Sequence, residues 1–175
     1  DAKELIIPEG VTTIGEYAIY GGQYLEKITM PSSVKTISKY ALYACSSLVS
    51  INIPNGAATI ENNAFENCIL LKKIEIPGTV TSISENAFKY CASLADAIIG
   101  EGVTSIGANA FYDCTSLTSI TIPSSVTNIG YEAFANCYKL AEVYNLSSLD
   151  VDMYFAYERV IHSSKDVESV IEKID

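Results

Sequence analysis

Leu117-Thr118-Ser119-Ile120-Thr121-Ile122-Pro123 is the stretch on which the fold is decided. Ile120 and Ile122 are two residues apart, so on an extended chain both point to one face while Ser119 and Thr121 point to the other. Pro123 has no N–H for a ladder and ends the strand. Outward from this stretch, each position recurs at a step of 23 residues. Pro8, Pro31, Pro54 and Pro77 share the slot of Pro123, and Gly100 fills the vacant one. Cys45, Cys68, Cys91, Cys114 and Cys137 keep the same step, with Gly22 in the first slot. So do Ile14, Ile37, Ile60, Ile83, Ile106 and Ile129, and so do Leu25, Leu48, Leu71, Leu94, Leu117 and Leu140. Columns this regular, without an insertion, define a repeat architecture.

The unit is C-x-x-L-x-x-I-x-I-P-x-x-V-x-x-I-x-x-x-A-F-x-x. After the proline, Val126 and Ile129 begin a second short extended piece, and Gly130, like Gly15 and Gly107, permits a bend there. Ala133 and Phe134 follow on a helical turn or an irregular segment. Each coil turns about eight apolar side chains inward, yet one coil cannot close a core alone; stacked coils can, because each covers the next. Successive strands then pair in parallel about 4.8 Å apart, so that six coils make a rod or arc of roughly 30 Å.

This spacing and pattern resemble the BspA-like, or Treponema-type, leucine-rich repeats of many bacterial and some protozoan surface proteins. The resemblance covers about residues 3–146. It implies an α/β-type repeat solenoid: a right-handed leucine-rich-repeat coil, with a parallel sheet on the concave side and short extended or helical segments on the convex side. It also implies secretion to the cell surface, adhesion or host-protein binding, and no catalytic residues. The departures are Gly22 for Cys, Ile19 and Leu42 for Phe, Ala57 for Val and Ala97 for Ile.

The expected organisation is a solenoid over residues 1–146 and a cap, or the start of a further region, over 147–175. Met153, Phe155 and Val160 are candidates to cover the last coil. Val167, Val170, Ile171 and Ile174 follow helical spacing, with a strand as the alternative. The chain begins at a half-repeat without Met, which reads as a piece of a longer protein whose leader has been removed.

The net charge is −10 and no basic cluster exists. Nucleic acid and anionic membranes, bound through Lys and Arg, are therefore disfavoured. No apolar run is long enough to span a bilayer. Equivalent cysteines lie in a line, not in the converging tetrahedron that zinc needs. Their parallel Cβ vectors disfavour bridges as well. They are expected to be free, buried thiols acting as small apolar residues. His162 is the one histidine, and any catalytic trio would have to route through it; an end-cap role is the simpler reading. No cofactor or metal is expected, and the chain is not expected to be an enzyme.

Two surfaces are candidates for binding. The outward positions of the main strand are varied: Lys27, Thr29, Asn52, Lys73, Glu75, Asp96, Ile98, Thr121 and Tyr144. Lys73 and Glu75 stand there as isolated charges among Ser and Thr neighbours. The second is a tyrosine patch, Tyr17 with Tyr40 in one column and Tyr20 with Tyr43 in another, a column that Tyr112 shares. Exposed tyrosines offer contact area at small entropic cost, although they can also just shield the coil edges. Asn145-Leu146-Ser147 is a glycosylation sequon relevant only in a eukaryotic secretory pathway. The expected partner is a host or cell-surface protein, or a glycan, bound by a monomer that is extracellular or at the cell surface. A spacer that displays neighbouring domains is the alternative.

Overall fold

The computed structural model describes residues 2–151 and 160–163. Each coil opens with a main strand: β1 (Glu4–Ile6), β3 (Lys27–Thr29), β5 (Ser50–Ile51), β7 (Lys73–Ile76), β9 (Asp96–Ile99), β11 (Ser119–Ile122) and β13 (Glu142–Asn145), followed by β14 (Val160–Ser163). A second, two-residue strand follows in each full coil: β2 (Thr13–Ile14), β4 (Thr36–Ile37), β6 (Thr59–Ile60), β8 (Ser82–Ile83), β10 (Ser105–Ile106) and β12 (Asn128–Ile129). All pairing is parallel, with Leu5 opposite Ile28 and Ile106 opposite Ile129, so each residue lies beside its counterpart one repeat away. Between the two strands of a coil the chain turns at the proline. The N–H of Val34 donates to the Pro31 carbonyl, and Val80 and Val126 do the same to Pro77 and Pro123.

The second sheet runs unbroken through its six strands, but the main sheet is divided into β1-β3-β5, β7-β9 and β11-β13-β14. Asn52 explains the shortness of β5. Its side-chain amide accepts from the Met30 N–H and donates to the Met30 carbonyl, each at 3.0 Å. A side chain thereby takes the contacts that the next backbone residue would otherwise make.

The core follows the columns. Phe65, Phe88, Phe111 and Phe134 are all fully buried and stack with ring centroids 5.1, 5.3 and 5.3 Å apart. Ile28, Ile74, Ile120 and Ile122 are buried beneath the main sheet, and Ile37, Ile60, Ile83 and Ile106 beneath the second.

On the turn side the Ala-Phe segment contains no helix among the described residues. The hydrogen bonds show why. Alternate N–H groups donate to the next coil: Phe65 to Ala87 O and Asn67 to Lys89 O, each within 3.0 Å. Those between them close local turns, as from Glu66 to Asn63. A helix would bond every N–H along its own axis and leave the coils unlinked. Turning alternate amides outward requires positive φ at two positions per coil. Asn63, Asn86 and Asn109 occupy the first (φ 53–61°), and Asn67, Asp113 and Asn136 the second (φ 58–62°). Asn and Asp tolerate this region better than other side-chain-bearing residues. These two columns are visible in the sequence and are the signal that the sequence reading missed.

Gly107 and Gly130 serve a different end from the expected bend. Neither has a positive φ, but a Cβ on either would fall 2.6 or 2.3 Å from the backbone of the coil before, so glycine permits close approach there.

The C-terminal expectations are described only in part. Val160 lies in β14, which pairs with β13, and Val151 is buried against the core. Met153, Phe155 and residues 167–174 lie outside the described residues.

Candidate functional site

On the main sheet the structure sets the candidate residues in rows across the strands. Lys27 pairs with Glu4 at 2.8 Å, one coil away. Asn52 is committed to the Met30 backbone and is a structural residue first. Lys73 is not isolated: its ammonium lies 2.8 Å from Glu75 and 3.4 Å from Asp96. Asp96 is the counterpart of Lys73 in the next coil and therefore its neighbour. The hydrogen bond to Glu75, and then its charge, raise the Lys73 pKa. Tyr144 donates its hydroxyl to Glu142, which raises the Tyr144 pKa. Thr29 sits beside Lys27 and Asn52 over a shallow cleft of about 250 Å³. Ile98 is 46% exposed and, with Asp96 and Thr121, lines another of about 280 Å³ at the seam between β9 and β11. The charges of this face are thus largely spent on one another.

The turn side differs. Tyr17 stacks on Tyr40 and Tyr20 on Tyr43, both at 5.1 Å between ring centroids with interplanar angles of 1° and 6°. Within each coil the two rings meet edge to face, at 5.6 Å for Tyr17–Tyr20 and 5.8 Å for Tyr40–Tyr43. The four form a two-by-two array whose outer members, Tyr17 and Tyr20, are 52% and 54% exposed. Tyr17 and Tyr40 hold φ of 57° and 55°, in the column where the later coils place Asn63, Asn86, Asn109 and Glu132. A bulky side chain in this region is strained by about 1 kcal/mol or more. Partial desolvation against the neighbouring rings, then the charge of Glu16, raises the Tyr17 pKa and keeps the phenol neutral.

Further along the same side lies a second aromatic group, in which Tyr112, from the column of Tyr20 and Tyr43, meets Tyr90, which the sequence reading did not single out. The rings of Tyr90 and Tyr112 meet at 90°, 6.0 Å apart. The Lys89 ammonium lies over both, 5.0 and 5.2 Å from their centroids. Tyr90 also lines a cleft of about 430 Å³ with Asn67, Ile69, Ala92, Asp113 and Thr115. The signal for it is Tyr90 standing in the Asn67, Asp113 and Asn136 column, at φ 62°.

The cysteines are free and buried. Beyond filling space, each thiol bonds a backbone carbonyl of the preceding coil: Cys68 to Leu42, Cys91 to Phe65, Cys114 to Phe88 and Cys137 to Phe111, at 3.2–3.3 Å. Burial pushes the thiols of Cys68, Cys91 and Cys114 well above the ordinary value of 9.0. Such thiols are poor nucleophiles and poor metal ligands. The backbone of His162 lies opposite Tyr144, far in register from the cysteine column. Among the described residues, no group of His, Cys, Asp and Glu could hold a metal ion, and no helix is long and apolar enough to cross a membrane.

The repeat is matched by the profile of the BspA type leucine rich repeat region, in six copies over residues 1–115 and 81–165. Among solved structures, the chain is similar to a leucine rich cell surface protein from Faecalibacterium prausnitzii, with 27% identity and a TM-score of 0.60 over 85% of this chain. It spans 48% of the length of that protein. A leucine-rich-repeat protein of T. pallidum shares the fold, with 24% identity, a TM-score of 0.54, and coverage of 97% of this chain and 82% of the other. The pneumococcal vaccine antigen PcpA shares it too, at 18% identity and a TM-score of 0.50, covering 98% of this chain and 65% of its own. No curated protein sequence matches significantly.

Proposed function

This chain belongs to the BspA-type leucine-rich-repeat family, and on that premise we propose that it is a non-enzymatic protein-interaction module, secreted or held at a bacterial cell surface. The similarity to a leucine rich cell surface protein supports the location. The partner is a protein of a host or of the cell surface, and the module acts as a monomer. Its binding part is the solenoid over residues 1–146, with 147–175 as a capping segment or the start of a further region.

One observation carries the reading: Tyr17 and Tyr40 sit in left-handed backbone, at a slot where three of the four later coils place Asn63, Asn86 and Asn109, a residue type that tolerates this region better. A residue that destabilises its own fold, and that builds a half-exposed ordered array, points to selection for contact. The main-sheet residues Lys27, Thr29, Lys73, Glu75, Asp96, Ile98, Thr121 and Tyr144 form the second candidate surface, weaker for charged ligands because its ions pair internally.

The test is a broad pull-down with the whole chain beside its Tyr17→Asn/Tyr40→Asn variant. Saturable capture of a partner by the natural chain, lost in the variant, is the expected outcome. No partner at high concentration would favour a spacer instead, a reading that the internally paired main sheet also fits.

A further inference from the structure

We propose that the turn-side cleft between Tyr90 and Asp113 anchors one arginine side chain of the partner protein. This deepens the reading above and rests on it.

The cleft lies in the middle of the stack, with coils packed on either side, and unequal side chains in one column create it. Ile69 precedes Ala92 by one coil and Thr115 follows it, so the alanine leaves a notch between two larger neighbours. Asn67, Tyr90 and Asp113 stand along one edge, and the six residues line about 430 Å³. Tyr90 and Asp113 both hold left-handed backbone, at φ 62° and 58°. Aspartate tolerates that region, as Asn67 and Asn136 do in the same column, but a tyrosine there is strained. The strained residue is again one that builds an exposed aromatic surface.

Three observations select arginine. First, among the described residues no lysine pairs with Asp113 and no group donates a hydrogen bond to its carboxylate. Asn67 donates its amide to the Tyr43 hydroxyl at 3.2 Å, and Thr115 donates its hydroxyl to the Ala92 carbonyl at 3.2 Å. What these three side chains have left to offer is mainly acceptor oxygens, and a guanidinium is all donors. Second, Ile69 and Ala92 give the cleft an apolar part that suits the methylenes of an arginine stem. Third, Tyr90 already attracts a cation: the Lys89 ammonium lies 5.0 Å from its centroid and 5.2 Å from that of Tyr112, without pairing with Asp113. The 90° contact with Tyr112 holds the Tyr90 ring before binding, so little side-chain freedom is lost on contact. Lysine ranks below arginine, because only a planar guanidinium can meet a carboxylate with two bonds and also lie flat on a ring. The bond from Asn67 to Tyr43 makes the cleft continuous with the tyrosine array, so one segment of the partner can cross both.

The experiment titrates the full chain, ¹³C-labelled in its tyrosine rings, with acetyl-Gly-Arg-Gly-amide. Parallel titrations replace the arginine by citrulline, its neutral isostere, and by leucine. Saturable shifts centred on Tyr90 are expected, with the citrulline and leucine peptides at least about tenfold weaker. Asp113→Asn and Tyr90→Asn should each weaken the arginine peptide by a similar factor while keeping the chain folded, since Asn67 and Asn136 hold the same slot at φ 62° and 59°. Tyr131→Asn, on an exposed tyrosine away from the cleft, should change nothing. Equal binding of the citrulline or leucine peptide, an undiminished affinity in Asp113→Asn, or occupation of the cleft by maltotriose in place of the arginine peptide would each overturn the proposal. If a pulled-down partner depends on Tyr17 but the arginine peptide does not bind, the interaction module stands and only the arginine assignment falls. If the peptide binds at Tyr90 and no partner is captured, the chemistry of the cleft stands and the reading above falls.

Discussion

Replacing Phe88 by alanine probes the stacked core where it is most continuous. Phe88 is fully buried between Phe65 and Phe111, with ring centroids 5.1 and 5.3 Å away. Truncation removes the buried ring and leaves a void that the neighbouring coils, tied by backbone ladders on both sides, cannot collapse to fill. Phe→Ala changes in such sites cost about 3–5 kcal/mol, of which each lost ring pair contributes about 0.5–1.5. Against a typical total of about 5–15 kcal/mol, that is a large share. For a chain of this size it lowers Tm by roughly 6–20 °C. Far-UV circular dichroism on heating, with urea unfolding beside it, measures the loss. Phe88→Leu is the control, because Leu42 already fills this column in another coil, and it should lose less than half as much. A Phe88→Ala loss below about 1 kcal/mol would refute the continuous stack, since no buried phenylalanine so placed is that dispensable.

Four other outcomes follow from the same structure. Ile74→Asp buries an unpaired charge beneath the main sheet and should cost more than about 3 kcal/mol, seen as a collapsed Tm; an unchanged Tm would contradict the inward column. Five thiols should titrate in denaturant without reductant and react slowly in the native chain, and finding one or three would mean bridges. Because the folded pKa values of Cys68, Cys91 and Cys114 are raised, the protonated thiol belongs to the fold: stability should be constant below about pH 9 and fall above it, and a chain that gains stability there would reverse the sign. Asn86→Gly should be neutral or stabilising by up to about 1 kcal/mol, since it relieves a φ of 56° and removes a buried carbonyl oxygen that has no partner; a clear loss in urea unfolding would show that the side chain matters.

Much of the fold was legible because a repeat places counterparts side by side. The strands through Ile28, Ile51, Ile74 and Ile120 follow from alternation, and the buried free cysteines from their shared column. What escaped depended on the neighbour one coil away. Asp96 beside Lys73 was available from the step of 23, but that the two side chains pair depends on their distance across the ladder. The turn-side ladder was legible in principle from the Asn63, Asn86 and Asn109 column, whose common property is a tolerated backbone angle, not a shared contact. The thiol-to-carbonyl bonds were not legible, because their acceptors are backbone atoms that every residue carries. For the same reason Asn52 looked like a surface residue: its work is done on the Met30 backbone. The tyrosine columns were plain in the sequence, but the positive φ of Tyr17 and Tyr40, on which the proposal of a contact surface rests, emerges only with the backbone.

The most direct test of the claim that the turn side makes the contact is hydrogen exchange of the whole chain, free and with its captured partner. Added protection should fall on residues 17–22 and 40–45, around the tyrosine array, with the main strands unchanged. Protection concentrated instead on Lys27–Thr29 and Lys73–Ile76, with the array unaffected, would contradict it and move the binding surface to the main sheet.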